Sequence, residues 1–198
     1  RIVSDAIDFI DQFGDGNFAL EVSFPEPHNP IQVPKPYFDM FPPDKVPDRL
    51  AGPEAIKSKN YRWQWMHGLE EDTYPGFEDE WRRYISDYVG MLRLLDDQLA
   101  RLIDHLKKKG LYDNTIIVCL ADHGDFVMEY GMEGKGVGLL EAITRIPMVW
   151  FGGPIRARNP HHQALVSIAD VMPTFCDALG VDIPHGVQGS SLWPLLRN

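Results

Sequence analysis

The chain predicts an α/β fold on a mainly parallel sheet. Three observations carry that expectation. Helices alternate with strands along the chain. Two of the strands, TIIVCLAD at 115–122 and IPMVWF at 146–151, are nearly unbroken apolar runs, as strands buried on both faces should be. One long amphipathic segment at 78–109 precedes them, as the helical half of an alternating pattern requires.

Taken in order, DAIDFIDQF at 5–13 spaces its apolar residues for a short helix, which Gly14 and Gly16 end. FALEVSF at 18–24 is β-rich and stops at Pro25, which predicts a strand. Residues 25–60 carry nine prolines, at 25, 27, 30, 34, 36, 42, 43, 47 and 53. Each fixes φ and removes a backbone donor, so this stretch is irregular chain over a surface. From 78 to 109, Trp81, Ile85, Tyr88, Leu92, Leu95, Leu99 and Leu102 keep the three-four spacing of one helix face. Lys107 to Lys109 suit the negative end of its dipole and Gly110 suits the position after it. A last helix is expected from about Asp170 to Leu179, with Pro173 in its first turn and Gly180 closing it.

Length and composition bound the rest. The 198 residues fit about one domain, and a compact domain of that size hides roughly 70% of its unfolded surface. Hydrophobic residues make up 44% and aromatics 11%, a globular composition. A net charge of −10 denies the chain the broad positive field that nucleic-acid binding needs. No stretch nears the roughly 20 apolar residues that span a bilayer. Cys119 and Cys176 make neither a metal spacing nor a disulfide framework and read as small buried apolar residues.

Ligands of open α/β sheets gather beyond the carboxyl ends of the strands. The first strand is followed by Pro25-Glu26-Pro27-His28-Asn29-Pro30, the second by Asp122-His123-Gly124-Asp125, and that loop by Gly134-Lys135-Gly136. Each has a plain reading: Asp122 and His123 as turn caps, His28 as a loop imidazole on a carbonyl, Lys135 as a solvated lysine. Each also has a chemical one. Asp122 and His123 offer two metal ligands from one rigid element, and the glycines beside Lys135 allow backbone to approach a ligand closely.

Together these segments resemble the sulfatase family. FALEVSFPEPHNP is similar to its strand and Pro-His-x-Pro segment, and NTIIVCLADHGD to its strand ending in Asp-His-Gly or Asp-Asn-Gly. GKGVGLLEAITRIPMVWFGG is similar to its Gly-Lys segment and Arg-x-Pro strand. VSIADVMPTFCDALGVDIPHGVQGSSLWPLL is similar to its Asp-x-x-Pro-Thr helix and Gln-Gly-x-Ser-Leu segment. The matches run in family order, and only about 40–78 is uninformative. The resemblance implies the alkaline phosphatase superfamily fold, a mainly parallel sheet sandwiched by helices. It implies that Asp122 and His123 ligate a divalent cation, usually Ca²⁺ (Mg²⁺ being the alternative), that Lys135 contacts the sulfate, and that His28 lies near the scissile ester oxygen. It implies sulfated carbohydrates or other sulfate esters as substrates and a periplasmic or secreted protein.

Such enzymes attack sulfur with a formylglycine made from the Cys or Ser of Cys/Ser-x-Pro-x-Arg. That pattern does not occur here. Ser23-Phe24-Pro25-Glu26-Pro27 comes nearest, with Pro27 where Arg is required. The expectation is therefore an incomplete domain, central to C-terminal, with formylglycine and an Asp-Asp pair upstream of Arg1 and a C-terminal subdomain beyond. The piece alone is expected to be inactive, with two ligands too few to keep its metal site filled, and to self-associate through an exposed sheet edge. Two alternatives stand beside the sulfatase: a phosphonate or phosphodiester hydrolase of the same superfamily, and a non-catalytic binding remnant. Among lesser candidates, Trp63 and Trp65 suit either sugar stacking or scaffold packing. Trp81 reads as core, and His105 as a solvated residue favoured by the helix end. His161-His162 are a weak ligand pair, His185 a turn residue, and Asp125 and Glu129 are read as facing solvent in preference to joining the metal shell. Arg145 is read as pairing with Glu141.

Overall fold

The computed structural model describes residues 1–136, 138–157 and 163–197, so His161 and His162 lie outside the described residues. These fall into two compact units. One holds Arg1–His105 and His123–Ile146, the other Leu106–Asp122 and Pro147–Asn198.

In the first unit, α1 (Ile2–Phe13) buries Val3, Ala6 and Ile10, the three-four stripe of an amphipathic helix. The 18–24 segment that follows is outside any ladder, which corrects the expected strand. Extended chain becomes a strand only by hydrogen bonding to a neighbour, and among the described residues none pairs with it. Phe18 instead meets the Phe9 ring edge-on at 6.4 Å.

The proline-rich stretch has little regular structure, with α2 (Tyr37–Met40) the only α-helix described in it. It precedes α3 (Tyr61–Thr73), which no sequence signal announced, and α4 (Trp81–Lys108), whose last turn, from Leu106, belongs to the second unit. What holds the proline-rich chain is a row of polar side chains along α4. Tyr37 donates to Asp97 at 2.9 Å, Ser86 donates to the Phe41 carbonyl, and Arg82 donates to the Val46 carbonyl at 2.6 Å. Segment numbers rise as helix numbers fall, so the two run antiparallel. Backbone groups that proline-rich chain cannot pair internally are met by α4 side chains. Gly90 marks the closest approach: a Cβ there would lie 2.9 Å from the Tyr37 carbonyl oxygen. Trp81 is half-buried rather than core. The Arg49 and Arg82 guanidinium groups stack on it at 4.5 and 4.3 Å.

The core of this unit joins Ile56, Trp63, Met66, Phe126, Met132 and Ile143. Trp63 meets Phe126 edge-to-face at 5.7 Å, so its scaffold reading holds, whereas Trp65 is 53% exposed.

In the second unit, β1 (Ile117–Leu120) pairs with β2 (Met148–Phe151), which follows α5 (Glu141–Thr144) in the chain. The pairing is antiparallel, Leu120 opposite Met148 and Ile117 opposite Phe151. This corrects the parallel arrangement for the described strands. The connection leaves at the end of β1 and re-enters beside that same end, so no crossover carries β2 back to the start of β1. Cross-strand partners Cys119 and Val149 are both exposed, correcting the expectation of burial on both faces and of a buried Cys119. The neighbouring pair, Val118 and Trp150, lies on the other face, where Trp150 packs on Phe175 at 5.2 Å.

Phe175 belongs to α6 (Val171–Leu179), which ends at Gly180 with φ +67, the left-handed closure the sequence predicted. Ser167 and Asp170 form a capping box ahead of it. Asp170 also accepts the Ser190 amide at 2.8 Å. Thr174, fully buried, donates to the Asp170 carbonyl at 2.6 Å and accepts the Leu192 amide at 2.8 Å. The Asp-x-x-Pro-Thr and Gln-Gly-x-Ser-Leu motifs are thus two halves of one clamp. It sits ahead of the short α7 (Trp193–Leu196).

Candidate functional site

The loop from 123 to 136 carries two of the four residues singled out from the sequence. It is folded back on itself by main-chain bonds: Phe126 donates to the Gly134 carbonyl and Met128 to the Met132 carbonyl, both at 2.8 Å. At its root, Gly124 donates to the Ile143 carbonyl at 2.7 Å, and a Cβ on Gly124 would lie 1.9 Å from the Ala142 oxygen. Val127, Met128 and Tyr130 all have positive φ, a conformation that costs side-chain-bearing residues energy. Buried Phe126, Met128 and Met132 hold it in place.

That fold brings His123 and Lys135 together, Nε2 to Nζ 3.2 Å. The proton positions follow from the partners. His123 Nδ1 faces the Gly124 carbonyl at 2.7 Å, and a carbonyl only accepts, so Nδ1 carries the proton. An ammonium only donates, so Nε2 offers its lone pair to Lys135. With Nδ1 held by a backbone carbonyl, Nε2 is the nitrogen left to face a metal. Nε2 has one lone pair, which serves Lys135 or a cation and not both. Asp122 ends the strand-side segment of the second unit and is adjacent to His123 in the chain. Among the described residues no three His, Cys, Asp or Glu side chains are grouped to hold a metal ion. One Asp and one His fall short of the six to eight oxygen ligands Ca²⁺ takes. The donor chemistry of His123 fits a cation, and the pair would supply part of a shell.

His28 is exposed, its Nδ1 against the Asn29 carbonyl at 2.9 Å. The next residue reaches further. The Asn29 amide donates to Glu133 Oε2 at 2.9 Å, and Tyr84 on α4 donates to Asn29 Oδ1 at 3.0 Å. The Pro-His-Asn-Pro loop is in this way joined to the loop bearing Lys135. Glu133 is held from a third side, its amide donating to Glu70 of α3 at 3.2 Å.

Sequence reasoning missed this layer of Asn29, Glu70, Tyr84 and Glu133, and it misread Asp125. The Asp125 carboxylate is not turned to water: it accepts the Val127 amide at 2.9 Å. Burial raises its pKa, against the opposing pull of the Val127 and Gly134 amides. Burial likewise lifts Glu70 to about 7, with its bond to the Glu133 amide opposing and the charges of Glu133 and Asp125 adding. Tyr84 is pushed up by burial and by Asp125 and Glu133, and Tyr88 by burial and Asp125 to about 12. Glu129, also read as solvated, accepts the Leu50 and Ala51 amides at 3.0 and 2.8 Å. His105 meets Asp11 of α1 at 3.0 Å instead of standing free at a helix end. Arg145 and Glu141 do pair, at 3.9 Å and well exposed, a contact that adds little. The bonds of Asn29, Glu70, Glu129 and His105 join residues far apart in the chain, so no spacing in the sequence reveals them.

With fold and geometry in hand, the class is defined: the chain belongs to the sulfatase family, whose model matches residues 1–181, within the alkaline phosphatase superfamily. It is 28% identical to an arylsulfatase of Clostridium perfringens over 99% of its own length and 41% of that protein's. It is 34% identical to an N-acetylglucosamine-6-O-sulfatase of Bacteroides thetaiotaomicron, over 79% of its length and 27% of that protein's. Among solved structures it is similar to the phosphonate monoester hydrolase of Agrobacterium radiobacter. That match has a TM-score of 0.84 at 27% identity and covers 98% of this chain and 41% of the other. The chain thus spans about two-fifths of the length of these relatives, or less. Members of the family generally use a metal ion and a formylglycine.

Proposed function

We propose that this chain is part of a sulfatase that hydrolyses sulfate esters of carbohydrates, using a formylglycine nucleophile carried elsewhere in the protein and a divalent cation. Lys135 binds the sulfate, His28 serves the leaving oxygen, and Asp122 and His123 supply cation ligands, with Ca²⁺ or Mg²⁺ the ions their oxygen and imidazole donors suit. The observation that supports this reading most is the contact of Lys135 with a carbonyl-anchored His123 on one strained loop.

The cation's contribution is to neutralise charge on the ester oxygens. The chain's own residues bind the sulfate and serve the leaving oxygen. Lys135 has three N–H donors, and the one turned to His123 would be freed when that nitrogen takes the cation, so the ammonium can face the sulfate oxygens. Charge that builds on those oxygens is met by an ammonium already in place. His28 keeps its Nδ1 proton on the Asn29 carbonyl, so a proton given to the leaving oxygen travels on Nε2.

The test is made on the full reading frame containing this chain. Lys135→Ala is expected to lower kcat/KM on an aryl sulfate by roughly 10²- to 10³-fold, and His28→Ala to do so most for esters with poor leaving groups. Unchanged turnover in both variants would remove the assignment. The fold likeness to a phosphonate monoester hydrolase favours a second reading, in which the same groups serve phosphorus. It is the better one if phenyl phosphonate esters outrun the matching sulfates. We further propose that the protein is periplasmic or secreted, and that the 198-residue piece alone is a single partial domain, inactive and self-associating.

A further inference from the structure

Two loops bear the residues proposed to act on the two ends of the ester bond, and the 123–136 loop is held by its buried Phe126, Met128 and Met132 while the His28 loop has no such anchor of its own. His28 is exposed, and among the described residues its bonds stay within its own loop, to the neighbouring Asn29 carbonyl and, by its amide, to the Pro25 carbonyl at 3.0 Å. Lys135 stands between glycines at 134 and 136 with φ of +66 and +55. Catalysis by opposed groups needs their spacing fixed, and a misplacement of about 1 Å can cost roughly 10²-fold.

We infer that Asn29, Tyr84 and Glu133 form a hydrogen-bonded clamp that sets the position of His28 relative to Lys135, and are positioning residues for the reaction. The inference rests on the roles given above to His28 and Lys135. Asn29 follows His28 directly and Glu133 lies two residues before Lys135, so the Asn29–Glu133 bond of 2.9 Å joins the loops next to the acting side chains. Tyr84, 8% exposed and on the long helix α4, ties the pair to a rigid element by its 3.0 Å bond to Asn29 Oδ1. The Glu70 bond to the Glu133 amide adds a second rigid element, α3.

The chemistry argues for direction rather than adhesion. The Asn29 side chain uses its donor toward Glu133 and its acceptor toward Tyr84, which fixes the orientation of the amide. The cluster gathers Glu70, Asp125 and Glu133 around buried Tyr84, and like charges there repel one another. An apolar contact would join two loops without that cost. Directional bonds fix the angle as well as the distance.

The experiment uses the full-length protein with Glu133→Ala, Asn29→Ala, their combination, Glu133→Gln and Tyr84→Phe. Two readouts are taken: hydrogen exchange of the His28 amide, and kcat on sulfate esters of good and poor leaving groups. Glu133→Ala is expected to speed His28 exchange by about tenfold or more, although residue 133 is in the other loop. It should cut kcat roughly 10- to 100-fold for poor leaving groups and far less for good ones, since only the former need His28 well placed. The combined variant should be no worse than either single one. Glu133→Gln keeps an oxygen for Asn29 and should restore both readouts, while Tyr84→Phe should shift both in the same direction by less. The near-isosteric Gln and Phe variants decide the matter if an alanine variant does not fold. Unaltered His28 exchange in Tyr84→Phe and Glu133→Ala, or losses that multiply in the combined variant, would overturn the clamp. A wild-type protein that exchanges as expected yet hydrolyses no sulfate ester would overturn the functional reading and leave the clamp standing.

Discussion

At the scale of single residues, the site is a set of groups held by their neighbours. The two nitrogens of His123 face the Gly124 carbonyl and the Lys135 ammonium. Glu70 is the group most open to measurement. Its folded pKa is raised to about 7 from 4.5, with burial the main cause. Between those values the folded state holds a proton that the unfolded state has released, so stability falls as pH rises across that window. The Glu70 contribution is therefore favourable below about 4.5, and it is lost by about 7. In Glu70→Gln this dependence should flatten, so the change in denaturant midpoint between pH 5 and pH 8 should shrink. An identical change in wild type and variant would show that Glu70 titrates normally.

At the scale of elements, two contacts make separate predictions. Thr174→Val removes a hydroxyl that both donates to Asp170 and accepts from Leu192, and leaves the Leu192 amide without that acceptor. A loss of about 1–3 kcal/mol is expected from urea unfolding. Little effect on Lys135 chemistry is expected, because Thr174 and Lys135 belong to different units. Gly124→Ala is the converse case. Its Cβ would sit 1.9 Å from the Ala142 oxygen, a backbone atom with no flexible end to swing away. The loop root must move, so activity of the full-length protein should drop along with stability. A crystal structure of Gly124→Ala with the 123–136 loop unshifted would contradict this.

At the scale of the whole molecule, the chain belongs to the sulfatase family and spans about two-fifths of its relatives' length, or less. Among the described residues no helix is long and apolar enough to cross a membrane. The purified 198-residue chain is expected to show no enzymatic turnover of an aryl sulfate. Robust turnover would mean that the nucleophile lies within it. The sheet pair exposes Val149 opposite Cys119, and paired strands with open edges recruit further strands. Sedimentation should therefore find dimers or larger species. A clean monomer across concentrations would count against it.

The sequence by itself determined the family, α4, α6 with Pro173 in its first turn, and two strands of the right residues. These are local or periodic features: a three-four stripe, a Gly after the last turn, a β-branched run, motifs in a fixed order. It also singled out His28, Asp122, His123 and Lys135 as candidates through their motifs, of which Asp122-His123 follows β1. Tertiary structure alone decided the rest. The missing ladder at 18–24, the antiparallel sense of β1 and β2 and the exposure of Cys119 depend on which strand lies alongside, which no window of sequence contains. Asn29 is 104 residues from Glu133 and 55 from Tyr84. A hydrogen bond between distant residues leaves no period to read, so the groups that hold the candidate site became visible only when the chain was folded.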